Sequence, residues 1–307
     1  MPTAFHNYHH PSDVLHFIAC KYETGIACAL ILVTDITGGT LRAKGALMAV
    51  CENGESAGYI SSGCVDGDII TRAQHALSLK TNTHIRYGEG SPFKDIQLPC
   101  GGSIEIFIAT DCSQNLIIKL SSTLNARQSI GVNIWGDVLA INDTPEITFR
   151  PKLRLRIVGR GMPVINLAQQ ALHANLIVHV QSPDAEMKAL LPTHTELSFE
   201  HLISPTSPPP CFDDHWTAIV LMFHDHEWEG DILKQALRHD GFYIGALGSL
   251  GTHANRCEVL QNLGVSPDEI AKISAPIGLI PSMRDANLLA ISTLAEIIST
   301  AQKRGRL

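Results

Sequence analysis

The sequence predicts an α/β chain in two parts: an N-terminal α/β domain on a mixed sheet, then a domain with a doubly wound parallel sheet. Three observations carry that reading. The apolar runs at 27–36 and 218–223, and the segment 153–158, read as buried strands. In the second half such strands alternate with segments of helical spacing, the pattern of parallel strands joined by crossover helices. Pro151 marks the change of pattern, dividing the chain into 1–150 and 151–307. With 307 residues, 45% of them hydrophobic, there is enough apolar surface for two cores.

In the first half, Ser12 is placed to cap a helix that ends before Gly25, with Val14, Leu15, Phe17 and Ile18 on its inner face. The run 27–36 stops at Thr37-Gly38-Gly39-Thr40. Residues 45–51 read as a strand, Asn53-Gly54 as a hairpin turn with two positions tolerant of positive φ, and 56–60 as the returning strand. Ser61-Ser62-Gly63-Cys64 closes that strand. A helix over 65–79 opens at once, with Ile69, Ile70, Ala73, Ala76 and Leu77 on one face. A short strand at 84–87 follows, and Pro99-Cys100-Gly101-Gly102 leads into an alternating strand at 103–109. A helix over 114–127 and strands at 131–135, 138–141 and 147–149 complete this half.

In the second half, strand 153–158 ends in Gly159-Arg160-Gly161, and helix 164–173 and strand 176–180 follow. This βαβ opening has the context of a Rossmann-like dinucleotide site. Val164 stands where a third small residue packs helix on strand, and Gln181 where an acidic side chain takes a ribose hydroxyl. The Pro/Ser-rich stretch 204–211 reads as loop. Strand 218–223 ends in His224-Asp225-His226, followed by helix 231–238, strand 243–246, helix 252–263 and a long last helix, 288–302.

Composition narrows the function. The net charge is −7, and the only basic cluster is Lys303-Arg304-Gly305-Arg306, so nucleic-acid binding is not suggested. The 8 cysteines contain no CxxC pair, so a zinc ribbon is not indicated; a reducing cytoplasm with mostly free thiols is expected. Cys20, Cys28 and Cys112 read as small buried hydrophobes. The N-terminal residues, with His6, His9, His10, Pro11 and Asp13, do not read as a signal peptide, and no apolar run reaches the roughly 18 residues of a membrane span.

Two turns organise the functional reading. Ser61, Ser62, Gly63 and Cys64 offer N–H groups, hydroxyls and a thiol at a helix start, where peptide dipoles favour anions and thiolates. Cys100, exposed by Gly101 and Gly102, offers a second thiol, and Arg42 a cation for a phosphate. In the second half Gly159 and Gly161, and the Gly245-Ala246-Leu247-Gly248-Ser249 turn, are candidates to face an anionic ligand, or are turns that need glycine for backbone alone. His224, Asp225 and His226 suit metal binding or proton transfer, or are a chance pairing among 15 histidines.

Taken in order, these pieces resemble the XdhC/CoxI family of xanthine dehydrogenase accessory proteins over nearly the whole chain. Gly38 to Gly45 resembles the family's Gly-Ser-x-Pro-Arg-x-x-Gly, with Gly39 and Leu41 in place of Ser and Pro. Ser61-Ser62-Gly63-Cys64-Val65-Asp66 resembles Ser-Gly-Gly-Cys-x-Glu, and Leu98-Pro99-Cys100-Gly101-Gly102 is also matched. The C-terminal half is similar through His224-Asp225-His226, the Tyr243 to Ser249 stretch, Arg256, Pro276-Ile277-Gly278-Leu279 and Ser292-Thr293-Leu294-Ala295-Glu296-Ile297.

The resemblance implies an XdhC/CoxI domain followed by an XdhC Rossmann domain. It implies a chaperone rather than a turnover enzyme, one that binds molybdenum cofactor (molybdopterin), protects it during sulfuration and inserts it into a xanthine dehydrogenase-type molybdenum hydroxylase. The implied partners are the apo-hydroxylase and a cysteine desulfurase, with a homodimer also among the expected assemblies. Glycine turns and helix starts suit the cofactor phosphate, and the Cys64 and Cys100 thiolates suit contact with molybdenum. The alternative is an NAD(P)-dependent oxidoreductase using Gly159, Gly161 and His224-Asp225-His226.

Overall fold

The computed structural model describes residues 10–39, 42–61, 63–92, 101–223 and 227–307. The chain divides into two units, Met1–Pro151 and Lys152–Leu307. In the first, α1 (Pro11–Glu23) is capped by His10, not by Ser12. The imidazole Nδ1 accepts the Ser12 N–H at 3.2 Å and lies 2.7 Å from its hydroxyl, so a ring nitrogen serves the orphan donor in place of an oxygen.

A five-stranded sheet follows, built from β1 (Cys28–Thr37), β2 (Leu47–Cys51), β3 (Ser56–Gly58), β4 (Thr83–Gly88) and β5 (Ser103–Ala109), in the order β3-β2-β1-β5-β4. The sequence suggests a mixed sheet here. Every pairing among the described residues is antiparallel, because β1, β2 and β3 are successive hairpins and β5 runs back between β1 and β4. The Cys51 N–H bonds the Glu55 carbonyl, so the hairpin closes around Glu52-Asn53-Gly54, and of the pair Asn53-Gly54 only Gly54 takes positive φ.

Helix α2 (Asp66–Leu79) covers one face of this sheet, packing Ile69 and Ala73 on Ile31, Met48 and Ile106. α1 and α3 (Gln114–Asn125) cover the other, packing Leu15, Ile117 and Leu120 on Leu30, Leu47 and Phe107. Alternate residues of β1 thus enter two cores, which is why its sequence is apolar without a break from Cys28 to Val33. A three-stranded antiparallel sheet, β7-β6-β8, closes the unit with β6 (Ile130–Trp135), β7 (Val138–Ile141) and β8 (Ile147–Phe149). The register of β1 and β2 sets Cys28 opposite Cys51, with Cα atoms 4.0 Å apart, and the two form a disulfide. That corrects the expectation of Cys28 as a lone buried thiol. Local pattern does not reveal which residues a hairpin places opposite one another.

The second unit is a parallel sheet with strand order β11-β10-β9-β12-β13-β14. Its strands are β9 (Arg154–Gly159), β10 (Ile177–Ser182), β11 (Leu197–His201), β12 (Thr217–Met222), β13 (Tyr243–Ala246) and β14 (Ile273–Ser274). This is the doubly wound Rossmann order, with its switch point between β9 and β12. Helices α4 (Met162–His173) and α9 (Ala286–Lys303) pack on one face through Val164, Leu167, Leu294 and Ile297. Helices α6 (Glu229–Leu237), α7 (Leu250–Asn262) and the single turn α8 (Pro267–Ile270) pack on the other through Ile232, Leu233, Leu260 and Ile270. A further single turn, α5 (Met187–Leu190), follows β10. No helix among the described residues is long and apolar enough to cross a membrane.

Candidate functional site

In the first unit the strand register gathers the sequence motifs at one end of the five-stranded sheet. β1 and β4 finish there and β5 begins there, since Thr37 and Gly88 both sit opposite Ser103. β2 begins at that end and β3 finishes there, with Met48 opposite Gly58. Arg42, the Ser61–Cys64 turn and Gly101-Gly102 therefore emerge from one edge. The backbones meet closely: a Cβ on Gly38 would stand 3.0 Å from the Gly102 Cα, and a Cβ on Gly102 would collide with the Thr37 carbonyl oxygen. Arg86 braces the edge from β4, donating to the Glu89 carbonyl at 2.8 Å, Glu105 at 2.7 Å and the Ser103 hydroxyl at 3.1 Å. The Arg42 guanidinium lies over the Tyr59 ring, 4.7 Å from its centre, directly before the Ile60-Ser61 segment.

The Ser61–Cys64 turn is organised by Asp66, a residue absent from the candidates that the sequence offers. Asp66 Oδ1 accepts the N–H groups of Ile60 and Ser61, each at 2.9 Å, and Oδ2 accepts the Ser61 hydroxyl and the Gly63 N–H, each at 3.0 Å. The Ser61 Oγ in turn accepts the Val65 N–H at 3.0 Å. The anion this turn holds is thus its own carboxylate, and Ser61 and Gly63 shape the loop instead of presenting donors outward. What the turn does present is Cys64, exposed and free. The signal for Asp66 is an acidic side chain in the first helical turn, five residues after a serine.

Asp68, in the first turn of α2, is fixed by Arg72 at 2.5 Å and the Tyr87 hydroxyl at 2.7 Å. Burial pushes its carboxyl up, but those two hydrogen bonds outweigh burial and hold it below the usual carboxylate range. Two other free thiols are withdrawn from chemistry: burial pushes Cys112 up to about 12 and Cys211 up to about 11. Ser62 and Cys100 lie outside the described residues. Among the described residues no three His, Cys, Asp or Glu side chains gather as a metal would require.

In the second unit, Gly159 pairs with Met222 across the switch point, and a Cβ there would collide with the Met222 carbonyl oxygen. Gly161, at φ +76°, starts α4, and Pro163 is accommodated in the first turn. Arg160, between the glycines, reaches Asp184 at 3.2 Å and lies over the Trp228 ring, 5.9 Å from its centre. Trp228 stacks on Phe223. Gln181 is buried within the sheet: its Oε1 accepts from Arg156 at 3.0 Å and its Nε2 donates to Glu200 at 2.7 Å. It is therefore committed to a network with Asp213, which Arg156 also bonds at 2.6 Å, and is not free for a ribose. His224, Asp225 and His226 lie outside the described residues.

The Gly245–Ser249 turn also uses its polar groups internally. Gly245 is small because a Cβ would stand 2.6 Å from the Tyr243 hydroxyl, and Gly248 takes φ +138°. The Ser249 hydroxyl caps α7 by accepting the Thr252 N–H at 3.1 Å, and Leu247 N–H bonds Leu221. The turn is held from α7 by Arg256, which donates to both oxygens of Glu229 at 3.0 Å and to the Leu247 carbonyl at 2.7 Å.

Comparison with known proteins settles the relationship. Residues 22–88 match the family described as XdhC and CoxI, and residues 155–297 match the XdhC Rossmann domain. The molybdenum cofactor insertion chaperone PaoD of Escherichia coli is 32% identical over 298 residues, covering 93% of this chain and 87% of that protein. The chain belongs to the XdhC/CoxI family. A crystal structure titled as a xanthine dehydrogenase from Bacillus halodurans shares the fold, with a TM-score of 0.72 at 19% identity over 94% of this chain and 96% of the other. Within this XdhC/CoxI chain the first matched segment holds Arg42, the Ser61–Cys64 turn and Asp66. Gly101-Gly102 lies beyond it but reaches the same sheet edge through β5. In the second segment, Glu296 of α9 accepts the Gly278 N–H at 2.5 Å and the Ser274 hydroxyl, tying the Pro276–Leu279 motif to the last helix.

Proposed function

We propose that the chain holds molybdenum cofactor and delivers it to a molybdoenzyme. The observation that carries this reading is near end-to-end similarity, at 32% identity, to a protein named as a molybdenum cofactor insertion chaperone. The chemistry of the first unit supports it. The cofactor supplies a phosphate on a pterin and a soft, sulfur-ligated metal, so its holder needs a cation and a thiol. Arg42, set over Tyr59, is the cation. Cys64, exposed on a turn locked by Asp66, is the thiol. Cys100, next to Gly101-Gly102, is the second candidate thiol. Ser61, Gly63, Gly38 and Gly102 shape the edge on which Arg42 and Cys64 stand.

The finer proposal is that the bound cofactor is protected while it is sulfurated, with a cysteine desulfurase and an apo-hydroxylase of the xanthine dehydrogenase type as partners. The setting is the cytoplasm, and the chain acts as a carrier without turnover of its own. The test loads the purified chain with molybdenum cofactor and measures retained molybdenum and pterin after gel filtration. Cys64→Ala, Cys100→Ala and Arg42→Ala should each weaken retention by at least ~10-fold. A Cys64→Ala/Cys100→Ala variant that keeps the cofactor as tightly as the parent overturns the assignment.

A second reading, an NAD(P)-dependent oxidoreductase, is favoured by the Rossmann strand order. The commitment of Gln181 to Arg156 and Glu200 speaks against it. Saturable micromolar NADPH binding with turnover would reverse that preference.

A further inference from the structure

The strand register of the first unit brings together two cysteines that the candidate site does not use. Cys28 opens β1 and Cys51 closes β2, and they stand directly opposite one another with Cα atoms 4.0 Å apart. The Glu52 N–H bonds the Ala27 carbonyl at 2.9 Å, so Ala27 and Glu52 form a hydrogen-bonded pair and Cys28 and Cys51, next along the ladder, a non-hydrogen-bonded one. That is the position in an antiparallel ladder where facing side chains come closest. The ladder holds the two sulfurs within reach of each other in either redox state, so making or breaking their bond leaves the strand pairing as it is. Every other cysteine among the described residues is free.

The bond closes a ring around the Arg42 loop. Cys28 and Cys51 are separated by 23 positions, and the segment between them holds the whole Gly38–Gly45 motif, with Arg42. Near its tip the hairpin is held by the Gly45 N–H on the Val33 carbonyl at 2.9 Å and the Val33 N–H on the Ala46 carbonyl at 3.0 Å. The disulfide fastens its open base. Both cysteines are buried there, in the core that α1 and α3 cover. The end of α1 is tied down over this core: the Tyr22 hydroxyl donates to the Cys112 carbonyl at 3.1 Å and reaches the Cys28 carbonyl at 3.5 Å, and Lys21 pairs with Glu55. A thiol reagent therefore reaches the pair only when α1 lifts, a local opening of the unit.

We propose that Cys28 and Cys51 are a reversible redox clasp on this hairpin, closed by oxidised glutathione and opened by the reduced thiol. In closing, the thiolate of one cysteine attacks the sulfur–sulfur bond of oxidised glutathione. One glutathione leaves as a thiolate, and the other stays in a mixed disulfide with the chain. The second cysteine thiolate then displaces it and forms the Cys28–Cys51 bond. The two protons given up by the cysteines end on the two glutathione thiols, and the two electrons with them. Opening is the same sequence in reverse. In the cytoplasmic setting proposed above, on which this step rests, a disulfide is as a rule transient and redox-sensing, not permanent. Closure removes conformational freedom from the unfolded chain over a ring of this size, so the closed form is the more stable one.

The test equilibrates the full-length chain in buffers of graded reduced-to-oxidised glutathione ratio, approached from both sides and quenched with acid. Free thiols are then alkylated in denaturant and located by mass spectrometry. Cys28 and Cys51 should become protected together, on one two-electron curve. The thermal transition of the closed chain should lie about 5–10 °C above that of the open chain. The transition of Cys28→Ala/Cys51→Ala should not respond to the ratio. Should that variant lose its transition, Cys51→Ala alone takes its place, since Cys28 then has no partner across the ladder. A pair that keeps a single state over the whole range overturns the proposal. So does pairing of either cysteine with a different one, and so does a parent transition that moves no more with the ratio than that of the variant.

Discussion

Asp66 holds Ser61 at two points, one carboxylate oxygen taking its N–H at 2.9 Å and the other its hydroxyl at 3.0 Å. With Ile60 and Gly63 also bonded to the same carboxylate, one side chain closes the whole turn beneath Cys64. Asp66→Ala leaves those donors unpaired at a charge-assisted site. It is expected to cost about 2–4 kcal/mol in urea denaturation. The freed turn should also change the rate at which Cys64 is alkylated, read site by site by mass spectrometry. Unchanged stability together with an unchanged Cys64 rate would show that the turn is held by something else.

The Arg256–Glu229 pair makes a different kind of prediction. Both side chains are only 2% exposed, and the guanidinium spans α7, α6 and the Leu247 carbonyl. Removing one partner strands a buried charge, so Arg256→Met or Glu229→Met should each destabilise by about 3–5 kcal/mol. The double replacement Arg256→Met/Glu229→Met should recover part of that loss, because no charge then remains buried. A double variant as unstable as the sum of the two singles would contradict this account.

His179 links stability to pH. Burial lowers its affinity for a proton, and Arg156 and Arg154 lower it further, against the opposing pull of Glu200. The folded state thus binds fewer protons than the unfolded one, so stability rises with pH across this window. The contribution is fully present above the unfolded value, near pH 6.5, and is lost as pH falls through the lower folded value. His179→Gln should flatten the stability profile between about pH 7 and pH 5, read from denaturation midpoints. A profile identical to that of the parent would assign the acid sensitivity to other groups.

Much of this architecture is legible locally, and the exceptions have physical causes. The runs 28–33, within the predicted strand 27–36, and 218–223 declare themselves because both faces are buried there. Leu197–His201 escapes because it is a short, half-exposed edge strand whose alternation rests on only two apolar residues, Leu197 and Phe199. Ile273–Ser274 escapes because two residues carry no period. His10 as a cap is hidden by the stronger propensity of Ser12 two residues later. At the candidate site, residue type points to the right turns but not to their common edge. That Arg42, Cys64 and Gly102 leave the sheet together depends on β1 pairing with both β2 and β5, a long-range register. Nor can the motif say where its donors point. Ser61 and Gly63 look ready for an external anion until Asp66 is seen to take them.

The glycines of the second turn separate backbone need from packing need. Gly101 has φ +69° and nothing within 4 Å of where a Cβ would stand, so Gly101→Ala should cost only the left-handed backbone penalty, about 1–2 kcal/mol. At Gly102 the same methyl group would strike the Thr37 carbonyl oxygen, which is fixed by the β1–β5 ladder and cannot yield as a side-chain tip could. Gly102→Ala should therefore be the more damaging of the two, by a margin that chemical denaturation resolves. It should also weaken cofactor retention through displacement of the sheet end from which Arg42 emerges, whereas Gly101→Ala should leave retention closer to that of the parent. Equal losses of stability in the two variants would mean that the β1–β5 edge yields to the added methyl, and that Gly102 is not required for close approach of these strands.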